Sequence, residues 1–390
     1  MQDKKIGVYT ACTLVIANMI GTGVFSSLGF QVAELPSAAV LLFLWVCGGL
    51  VALCGGLSYV ELARLYPGSG GEYHYIKSVY PRLIGYCSGA VSIVAGFAAP
   101  VALAAITFSK YFGQFYESAS VTLLSMALVT LITLFHCFSL RLGSGFQLAT
   151  TAVKILVLLL FIVAGFFAAG KENPVDLGIG QFQMVATKGF AVSLVYVSFA
   201  YSGWNACVYI YSEIRNPEKN IRRSILAGTA IVTLLYILLN YVFLKTVSMS
   251  NLEGVIEVGA VSAKAIFGDS GGKWMAGIIS ILLISTISAM TWVGPRVIDQ
   301  MMRRGSVLKA NQQPKIPLVA IMLQFVLTMG LLLTETFEQI LITSGLVLNV
   351  SSCLCIAILF FNKNRIPAKK MLAPVIFLIA NLYTIAVLIA

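Results

Sequence analysis

The chain has 390 residues, of which 59% are hydrophobic and 11% are charged, and its mean hydropathy is +0.92. Soluble domains carry about 25% charged residues, so this composition excludes an ordinary water-soluble domain. The net charge of +11 would fit nucleic-acid binding, but most of the 26 lysines and arginines fall in alternate loops between apolar runs. That distribution follows the positive-inside rule, so the basicity reflects membrane topology.

Apolar runs of roughly 20 residues, each long enough to cross a bilayer, recur along the whole sequence. They predict eleven spans in a single transmembrane domain, 1–390, without a cleavable signal peptide. The basic loops predict a multi-pass protein of the cell membrane with a cytoplasmic N-terminus. The eleventh run reaches the last residue, so a twelfth span is not expected within the chain. The runs are 6–30, 38–62, 84–109, 121–140, 146–169, 186–211, 224–248, 273–297, 316–334, 338–361 and 371–390.

The first run contains the stretch "ANMIGTGVF", Ala17 to Phe25, in which two glycines flank a threonine at the depth where a membrane helix should be regular. Glycine weakens a helix, and hydrocarbon offers no water to a freed amide or carbonyl. The sequence therefore predicts that helix 1 is broken here and that some other group satisfies the freed backbone.

The sixth run repeats this feature in "VSFAYSGWNACVY", Val197 to Tyr209, with Ser202 and Gly203 in mid-membrane. Two interrupted spans at corresponding positions of two halves indicate an inverted-repeat transporter. Close packing of helices through small residues is the alternative explanation for each glycine motif. We favour a five-plus-five inverted repeat over 6–169 and 186–361, with 371–390 as helix 11 outside it.

The two predicted breaks have complementary chemistry. Unwinding at Gly21 to Gly23 directs backbone amides and a helix N-terminus at one point, which suits a carboxylate. Unwinding near Ala200 to Ser202 frees carbonyls, which suit an ammonium group. Together they predict a site for an α-amino acid.

Four segments carry a resemblance to a known family. The motif "GTGVF" and the stretches "SYVELARLYPGSGGEYHYI" (58–76), "SGWNACVYIYSEIRNPEKNIRRSI" (202–225) and "GPRVIDQMMRRG" (294–305) resemble the amino acid–polyamine–organocation (APC) superfamily. Within it, the sequence looks like the L-amino-acid transporter branch and its bacterial alanine–serine–cysteine exchangers. The resemblance implies an all-α LeuT/APC-type fold with broken helices 1 and 6. It also implies sodium-independent amino-acid exchange, with neither enzymatic activity nor a cofactor.

Matching the family's motifs residue by residue implies a substrate site at the two breaks. Phe199 matches the aromatic lid of the site, and Trp204 is expected to crowd the pocket as a second gate residue. The implied substrate-binding residues are Met19, Ile20, Gly21, Thr22, Gly23, Phe199, Ala200, Ser202 and Asn205.

Lys154 is the one base that the sequence places well inside a predicted span, and an ionisable group there is a functional candidate. The resemblance implies that its ammonium replaces the sodium ion of coupled relatives, with Ser285 and Ser288 as hydroxyl partners. Tyr236 on the seventh span is expected to contact Lys154 or the site, or to form an inter-helix hydrogen bond. Lys154 as a structural tether and Lys154 as a proton carrier both remain open.

The predicted substrates are small neutral L-amino acids: alanine, serine, cysteine and glycine. Ser202 and Asn205 are neutral, and the sequence places no acid in mid-membrane to balance a basic side chain. No metal site is predicted, because the two histidines share no ligand spacing. The loop 110–120 contains no cysteine, so no disulfide-linked heavy subunit is expected. A proton-coupled symporter and a non-transporting membrane sensor are the alternative functions.

Overall fold

The computed structural model describes residues 5–115, 120–138, 144–168, 177–304 and 317–389. Within these ranges the chain is helical, and its β-structure is limited to an isolated parallel bridge between Ile6 and Ile214. The middle of the predicted loop 110–120 lies outside the described residues. So do the adjoining ends of some predicted spans, namely 139–140, 169, 316 and 390.

Sixteen α-helices, one π-helical segment and four short 3₁₀ helices follow one another along the described chain. The α-helices are α1 (Val8–Met19), α2 (Gly23–Glu34), α3 (Ala38–Leu65), α4 (Gly71–Val79), α5 (Arg82–Val91), α6 (Ala99–Phe112), α7 (Val121–Phe138), α8 (Ser144–Phe167), α9 (Lys188–Ala200), α10 (Ala206–Tyr209), α11 (Pro217–Thr246), α12 (Met249–Leu252), α13 (Val258–Arg304), α14 (Leu318–Thr334), α15 (Phe337–Phe361) and α16 (Leu372–Ile389). The π-helical segment is Ser92–Ala98, and the 3₁₀ helices are Ile179–Ala186, Tyr211–Glu213, Lys363–Arg365 and Ala368–Met371.

Nine helical segments of the described residues are long and apolar enough to cross a membrane, or ten if a bent pair counts as one span. The bent pair is Gly180–Ala186 with Lys188–Ala200, which meet at 76°. Its second helix, Lys188–Ala200, falls within the predicted span 186–211, whereas most of its first helix precedes that span. The shorter apolar helix α14 falls within the predicted span 316–334. The protein is therefore an all-α, multi-pass membrane protein.

The helices differ in how deeply they are buried. In the segment Arg82–Phe112, 78% of the most apolar window is buried inside the protein, whereas in Ala368–Leu388 only 22% is. Because lipid is as apolar as the protein interior, a membrane helix can leave most of its surface facing lipid. The inner helices α1, α3, α6, α11 and α13 therefore surround the interior, where the polar groups concentrate.

Local departures from α-helix geometry lie on the inner helices. The segment Ser92–Ala98 is π-helical between α5 and α6, and α13 has a non-helical residue at Gly268 and a proline at Pro295. Short π-helical insertions are rare in helices and are frequent at functional sites. Two residues of the π-helical segment, Gly96 and Phe97, line a cavity between the helices.

Candidate functional site

The predicted first span consists of two helices separated by a short interruption. α1 ends at Met19 and α2 begins at Gly23. Between them, the amide of Gly21 donates to the carbonyl of Met19 at 2.8 Å, and the carbonyl of Thr22 accepts from the amide of Phe25 at 2.9 Å. Local hydrogen bonds therefore satisfy part of the backbone that the interruption frees.

The second interruption separates α9, which ends at Ala200, from the short α10, which begins at Ala206. Gly203 between them has φ +103°, a conformation that residues with a side chain rarely adopt. A Cβ atom at Gly203 would lie 2.8 Å from the backbone of Asn18 on α1. Glycine is therefore required here both by its backbone angle and by the approach of α1.

The two interruptions pack directly on each other. A Cβ atom at Gly23 would lie 2.5 Å from the Cα and Cβ atoms of Ala200, just as one at Gly203 would meet Asn18. Close packing, the alternative explanation of the glycine motif, is thus what the geometry shows at Gly23. A ligand held between Gly23 and Ala200 would require the ends of α2 and α9 to move apart.

A cavity with a volume of about 80 Å³ lies beside the second interruption. Four of the predicted site residues line it: Phe199, Ser202, Trp204 and Asn205. The remaining predicted substrate residues lie outside its walls; they are Met19, Ile20, Gly21, Thr22, Gly23 and Ala200. The structure therefore brings only the second half of the predicted site to the cavity, and the substrate roles of the first half stay predictions.

The two predicted gate residues are both buried in the cavity wall. Phe199 belongs to an apolar cluster with Phe97 of the π-helical segment. The ring of Trp204 packs edge-on against that of Tyr59, with centroids 4.7 Å apart. α3 makes room for this indole at Gly55, where a Cβ atom would lie 2.9 Å from the ring.

The polar wall of the cavity contains a carboxylate that was not predicted. Glu72 lines the cavity together with Asn18, Asn349, Ser352 and Asn381. Its side chain is only 1% exposed. The expectation that no acid lies in mid-membrane did not cover this residue, because Glu72 reaches the cavity from outside the membrane-spanning segments. It lies in the short helix α4, between two predicted spans, and the tertiary fold carries it inward.

A glycine-rich turn positions this carboxylate. Gly70 and Gly71 have φ +117° and +55°, and together they start α4 so that Glu72 lies in its first turn. The amide of Gly70 donates to the carbonyl of Tyr209 at 3.2 Å. A Cβ atom at Gly71 would lie 2.4 Å from the ring of the same tyrosine. The turn is therefore fixed against the end of α10.

Burial raises the pKa of Glu72, which lies outside the membrane-spanning segments, above the usual range of a glutamate. Hydrogen bonds from Tyr59, Ser352, Ser351 and Asn205 oppose this effect because they stabilise the charged form. The pKa of the carboxyl group is therefore set by a balance between desolvation and four donors.

Lys154 is 1% exposed, and its ammonium lies next to the first interruption. Nζ donates to Thr286 Oγ1 at 2.7 Å and to the carbonyl of Ile20 at 3.5 Å. The two predicted partners were wrong. Ser288 instead bonds His136 at 2.9 Å, and the buried hydroxyl of Ser285 has no hydrogen-bond partner among the described residues. Successive residues of α13 point in directions about 100° apart, so only Thr286 faces the lysine.

Tyr236 of α11 joins the two interruptions. Its hydroxyl contacts the carbonyl of Met19 at 2.5 Å and that of Ala200 at 3.2 Å. Its ring packs against Trp45 and Tyr201, with centroids 5.5 and 5.1 Å away. The hydroxyl therefore forms an inter-helix hydrogen bond and, because Met19 and Ala200 are predicted site residues, also contacts the predicted site; its single proton is shared between the two carbonyls.

Sequence reasoning missed several polar residues around the site. Thr286 stands between the two predicted serines, and nothing in the sequence distinguishes it from them. Glu72 lies within the motif "PGSGGEYHYI", where the glycines that place it were visible. Asn349, Ser352 and Asn381 come from α15 and α16, where isolated polar residues in apolar helices were the available signal.

Comparison with known proteins gives one family match and several relatives. A sequence model of the family described as "Amino acid permease" matches residues 6–390. The Asc-type amino acid transporter 1 of Mus musculus is 31% identical over 275 residues, which are 68% of this chain and 52% of the relative. The chain thus spans about half the length of the first curated relatives it matches.

Two further relatives cover more of the chain. The b(0,+)-type amino acid transporter 1 of Mus musculus is 28% identical over 79% of this chain and 64% of its own length. The serine/threonine exchanger SteT of Bacillus subtilis is 26% identical over 94% of this chain and 85% of its own length. The family and these relatives are amino-acid transporters, not enzymes.

Proposed function

Because the chain belongs to the amino acid permease family of the APC superfamily, we propose that it is a sodium-independent exchanger of small neutral L-amino acids that works by alternating access. General amino-acid transport follows from the family and its relatives. The exchange mode, the substrates and the independence from sodium are the proposal.

The observation that carries the proposal is the position of Lys154. Its ammonium lies between the first interruption and α13, where it contacts the carbonyl of Ile20 and the hydroxyl of Thr286. Carbonyl and hydroxyl oxygens are the ligands that would suit a bound alkali cation. A covalently attached ammonium in that position stabilises the interruption without an ion from solution, which is the physical basis for sodium independence.

The cavity supports small neutral substrates. Ser202 and Asn205 at the second interruption are uncharged, and Phe199 and Trp204 limit the space beside them. Glu72 is the acid of this wall, but its oxygens already accept four hydrogen bonds. These donors stabilise its charge without a basic partner. The name of one relative, a serine/threonine exchanger, fits the same substrate class.

Transport requires the packed interruptions to separate and close again. In our proposal the inverted repeats 6–169 and 186–361 rock against each other, and the contact between Gly23 and Ala200 opens to admit the substrate. The amides at Thr22 and Gly23 then bind the carboxylate, and the carbonyls near Ala200 bind the amino group. We also propose a cytoplasmic N-terminus in the cell membrane and activity without a disulfide-linked heavy subunit.

The test is uptake of radiolabelled alanine into liposomes that contain the purified protein, with and without unlabelled alanine inside. We expect uptake to depend on internal amino acid, to be unchanged when sodium is removed, and to be inhibited by excess serine far more than by excess arginine. Equal uptake into empty and loaded liposomes would refute exchange. Loss of uptake in sodium-free buffer would refute the role of Lys154, and inhibition by arginine equal to that by serine would refute the substrate class.

Proton-coupled symport through Lys154 is the second candidate, favoured by the complete burial of this amine. It predicts accumulation of alanine in empty liposomes when an inward proton gradient is imposed. An exchanger shows no such accumulation, so the same preparation separates the two functions.

A further inference from the structure

Glu72 is a buried acid, and within the described part of the chain the residues that hydrogen-bond to it are all uncharged. It contrasts with Glu61, the neighbouring buried acid on α3, which is 6% exposed and pairs with Arg64 at 3.0 Å and Lys370 at 2.6 Å. A buried charge that lacks an opposite charge is costly unless hydrogen bonds satisfy it. Opposite charges stabilise the ionised form of Glu61, whereas the ionised form of Glu72 depends on hydrogen bonds from neutral groups.

Four neutral donors surround the Glu72 carboxylate, and they come from different parts of the fold. Tyr59 of α3 donates to Oε1 at 2.6 Å, and Ser352 and Ser351 of α15 donate to Oε1 at 3.1 Å and Oε2 at 3.2 Å. The fourth donor is the side-chain amide of Asn205 in the second interruption, 3.3 Å from Oε1. Glu72 therefore connects α4, α3 and α15 to a residue of the cavity.

The titratable groups that face Glu72 from neighbouring helices carry no positive charge. Among the described residues they are Tyr59 of α3, Tyr209 of α10 and Cys355 of α15, whose side chains have no positively charged form. On α4 itself, Lys77 donates to the hydroxyl of Tyr73 and lies over the ring of Tyr86 of α5. The charge state of Glu72 thus depends on its burial and on its four donors.

We propose that ionised Glu72 is a positioning residue for the substrate, which holds the Asn205 amide at the cavity, and that protonation of Glu72 releases Asn205 and weakens substrate binding. This inference rests on the proposed exchange function. It assigns to Glu72 a role separate from that of Lys154, because Glu72 acts on substrate affinity through the second interruption.

The geometry indicates why the hydrogen bond from Asn205 is the first to break when Glu72 is protonated. A carboxylate only accepts hydrogen bonds, whereas a protonated carboxyl group must also donate one and accepts more weakly. Of the three bonds to Oε1, the one from Asn205 is the longest, at 3.3 Å against 2.6 and 3.1 Å. Since burial raises the pKa of Glu72, the change is expected in mildly acidic solution, above the usual range of a glutamate.

The experiment measures the KM and maximal rate of alanine exchange in proteoliposomes between pH 5 and 8. For the wild type, we expect KM to rise roughly fivefold as the pH falls through the pKa of Glu72, because hydrogen bonds to charged groups are stronger than those between neutral groups. Glu72→Gln should give the high, low-pH KM at every pH. Glu72→Asp should retain a pH-dependent KM.

Three further variants test whether Glu72 acts through Asn205. Asn205→Ala should remove the pH dependence of KM, and its effect should not add to that of Glu72→Gln. Ser352→Ala removes a donor to the charged form, so it should keep the transition but move it to higher pH. Glu61→Gln, the matched control at a paired buried acid, should keep the wild-type transition. Size-exclusion profiles report whether each variant folds.

Several outcomes would overturn the inference. They are a wild-type KM that does not change with pH, a transition that persists in Glu72→Gln or Asn205→Ala, and a transition that is lost in Glu61→Gln. If Glu72→Gln does not fold, the wild type, Asn205→Ala and Ser352→Ala still decide the question.

Alanine binding to the purified protein, measured over the same pH range, separates this inference from the proposed function. Binding that weakens at low pH without exchange would overturn the exchanger and support the role of Glu72. Exchange with a pH-independent KM would overturn only the role of Glu72. Absence of both binding and exchange would overturn both.

Discussion

The two helix interruptions differ in what surrounds them. The first, between α1 and α2, is enclosed by Lys154, Thr286 and Tyr236, whose polar atoms meet backbone carbonyls or one another. The second, between α9 and α10, borders the cavity through Ser202 and Asn205. One interruption is satisfied by the protein itself, and the other presents polar groups to an enclosed space.

This difference suggests that the two interruptions have different functions. Changes around the first interruption should alter the balance between transporter states, because its partners lie on α8, α11 and α13, away from the cavity. Changes at the second should alter substrate affinity, because its side chains line the cavity. Rates measured from each side of the membrane and KM values are the quantities that distinguish these effects.

The largest effect is expected for Lys154→Ala. Removing the ammonium leaves the carbonyl of Ile20 and the hydroxyl of Thr286 without this partner, at a cost of about 1–3 kcal/mol. A bias of that size shifts state populations roughly 5- to 150-fold. We expect a strong loss of exchange rate in a protein that still inserts and folds, and unequal changes of apparent affinity on the two membrane faces.

The control for this variant is Lys245→Ala. Lys245 also donates to backbone carbonyls, with Nζ 2.7 Å from that of Phe166, but it lies near the end of α11. Its removal should leave exchange near the wild-type rate. Unaltered kinetics of Lys154→Ala on both faces would contradict the role of the first interruption. A wild-type pH optimum of the rate that disappears in Lys154→Ala would identify this lysine as a proton carrier.

The next effect concerns the contact between the interruptions. Gly23→Ala places a methyl group 2.5 Å from Ala200, and overpacking of this kind costs about 1–3 kcal/mol. We expect a lower Tm of the purified protein together with slower exchange. Gly330→Ala on α14, where a Cβ atom meets nothing within 4 Å, is the matched control and should preserve both. Equal Tm values for the two variants would show that α2 and α9 are not in close contact.

At the second interruption, Ser202→Asp should raise the KM for alanine on the order of tenfold. The added carboxylate takes space in the small cavity that Ser202 lines, and it repels the carboxylate of the substrate. Exchange measured over a range of alanine concentrations checks this expectation. A change confined to the maximal rate, with KM unaltered, would argue against the proposed division between the interruptions.

The smallest effect is expected within α13. Thr286→Val removes a hydroxyl that Lys154 contacts, but the ammonium stays and retains the carbonyl of Ile20, so exchange should slow only a few-fold. Ser285→Ala removes a buried hydroxyl that has no hydrogen bond and should leave the rate and Tm unchanged or slightly raised. If Ser285→Ala were the more damaging variant, the orientation of α13 would have to be revised.

Much of the fold could be predicted because it follows from local patterns. Apolar runs of membrane length and the distribution of basic residues identify a multi-pass helical protein before any contact is known. The glycine motifs at Gly21 to Gly23 and at Gly203 marked the positions where the helices end. Lys154 was found because a lone base within an apolar run is conspicuous.

The details of the site could not be predicted because they depend on contacts between distant segments. The distance from Lys154 to Thr286 spans 132 residues of sequence, and a small rotation of α13 would have presented a serine instead. Likewise, the sequence places Glu72 in a loop between spans, and only its contacts with α3 and α15 bury it.

The sequence by itself determined that this protein lies in a membrane, that it consists of helices, and where two of them are interrupted. These features depend on composition and on the backbone preferences of short segments. The tertiary structure decided that the interruptions pack on each other at Gly23 and Ala200, and that the cavity opens beside only one of them. The physical reason is that helix packing fixes which side chains meet, and membrane helices of similar apolar composition can pack in many registers.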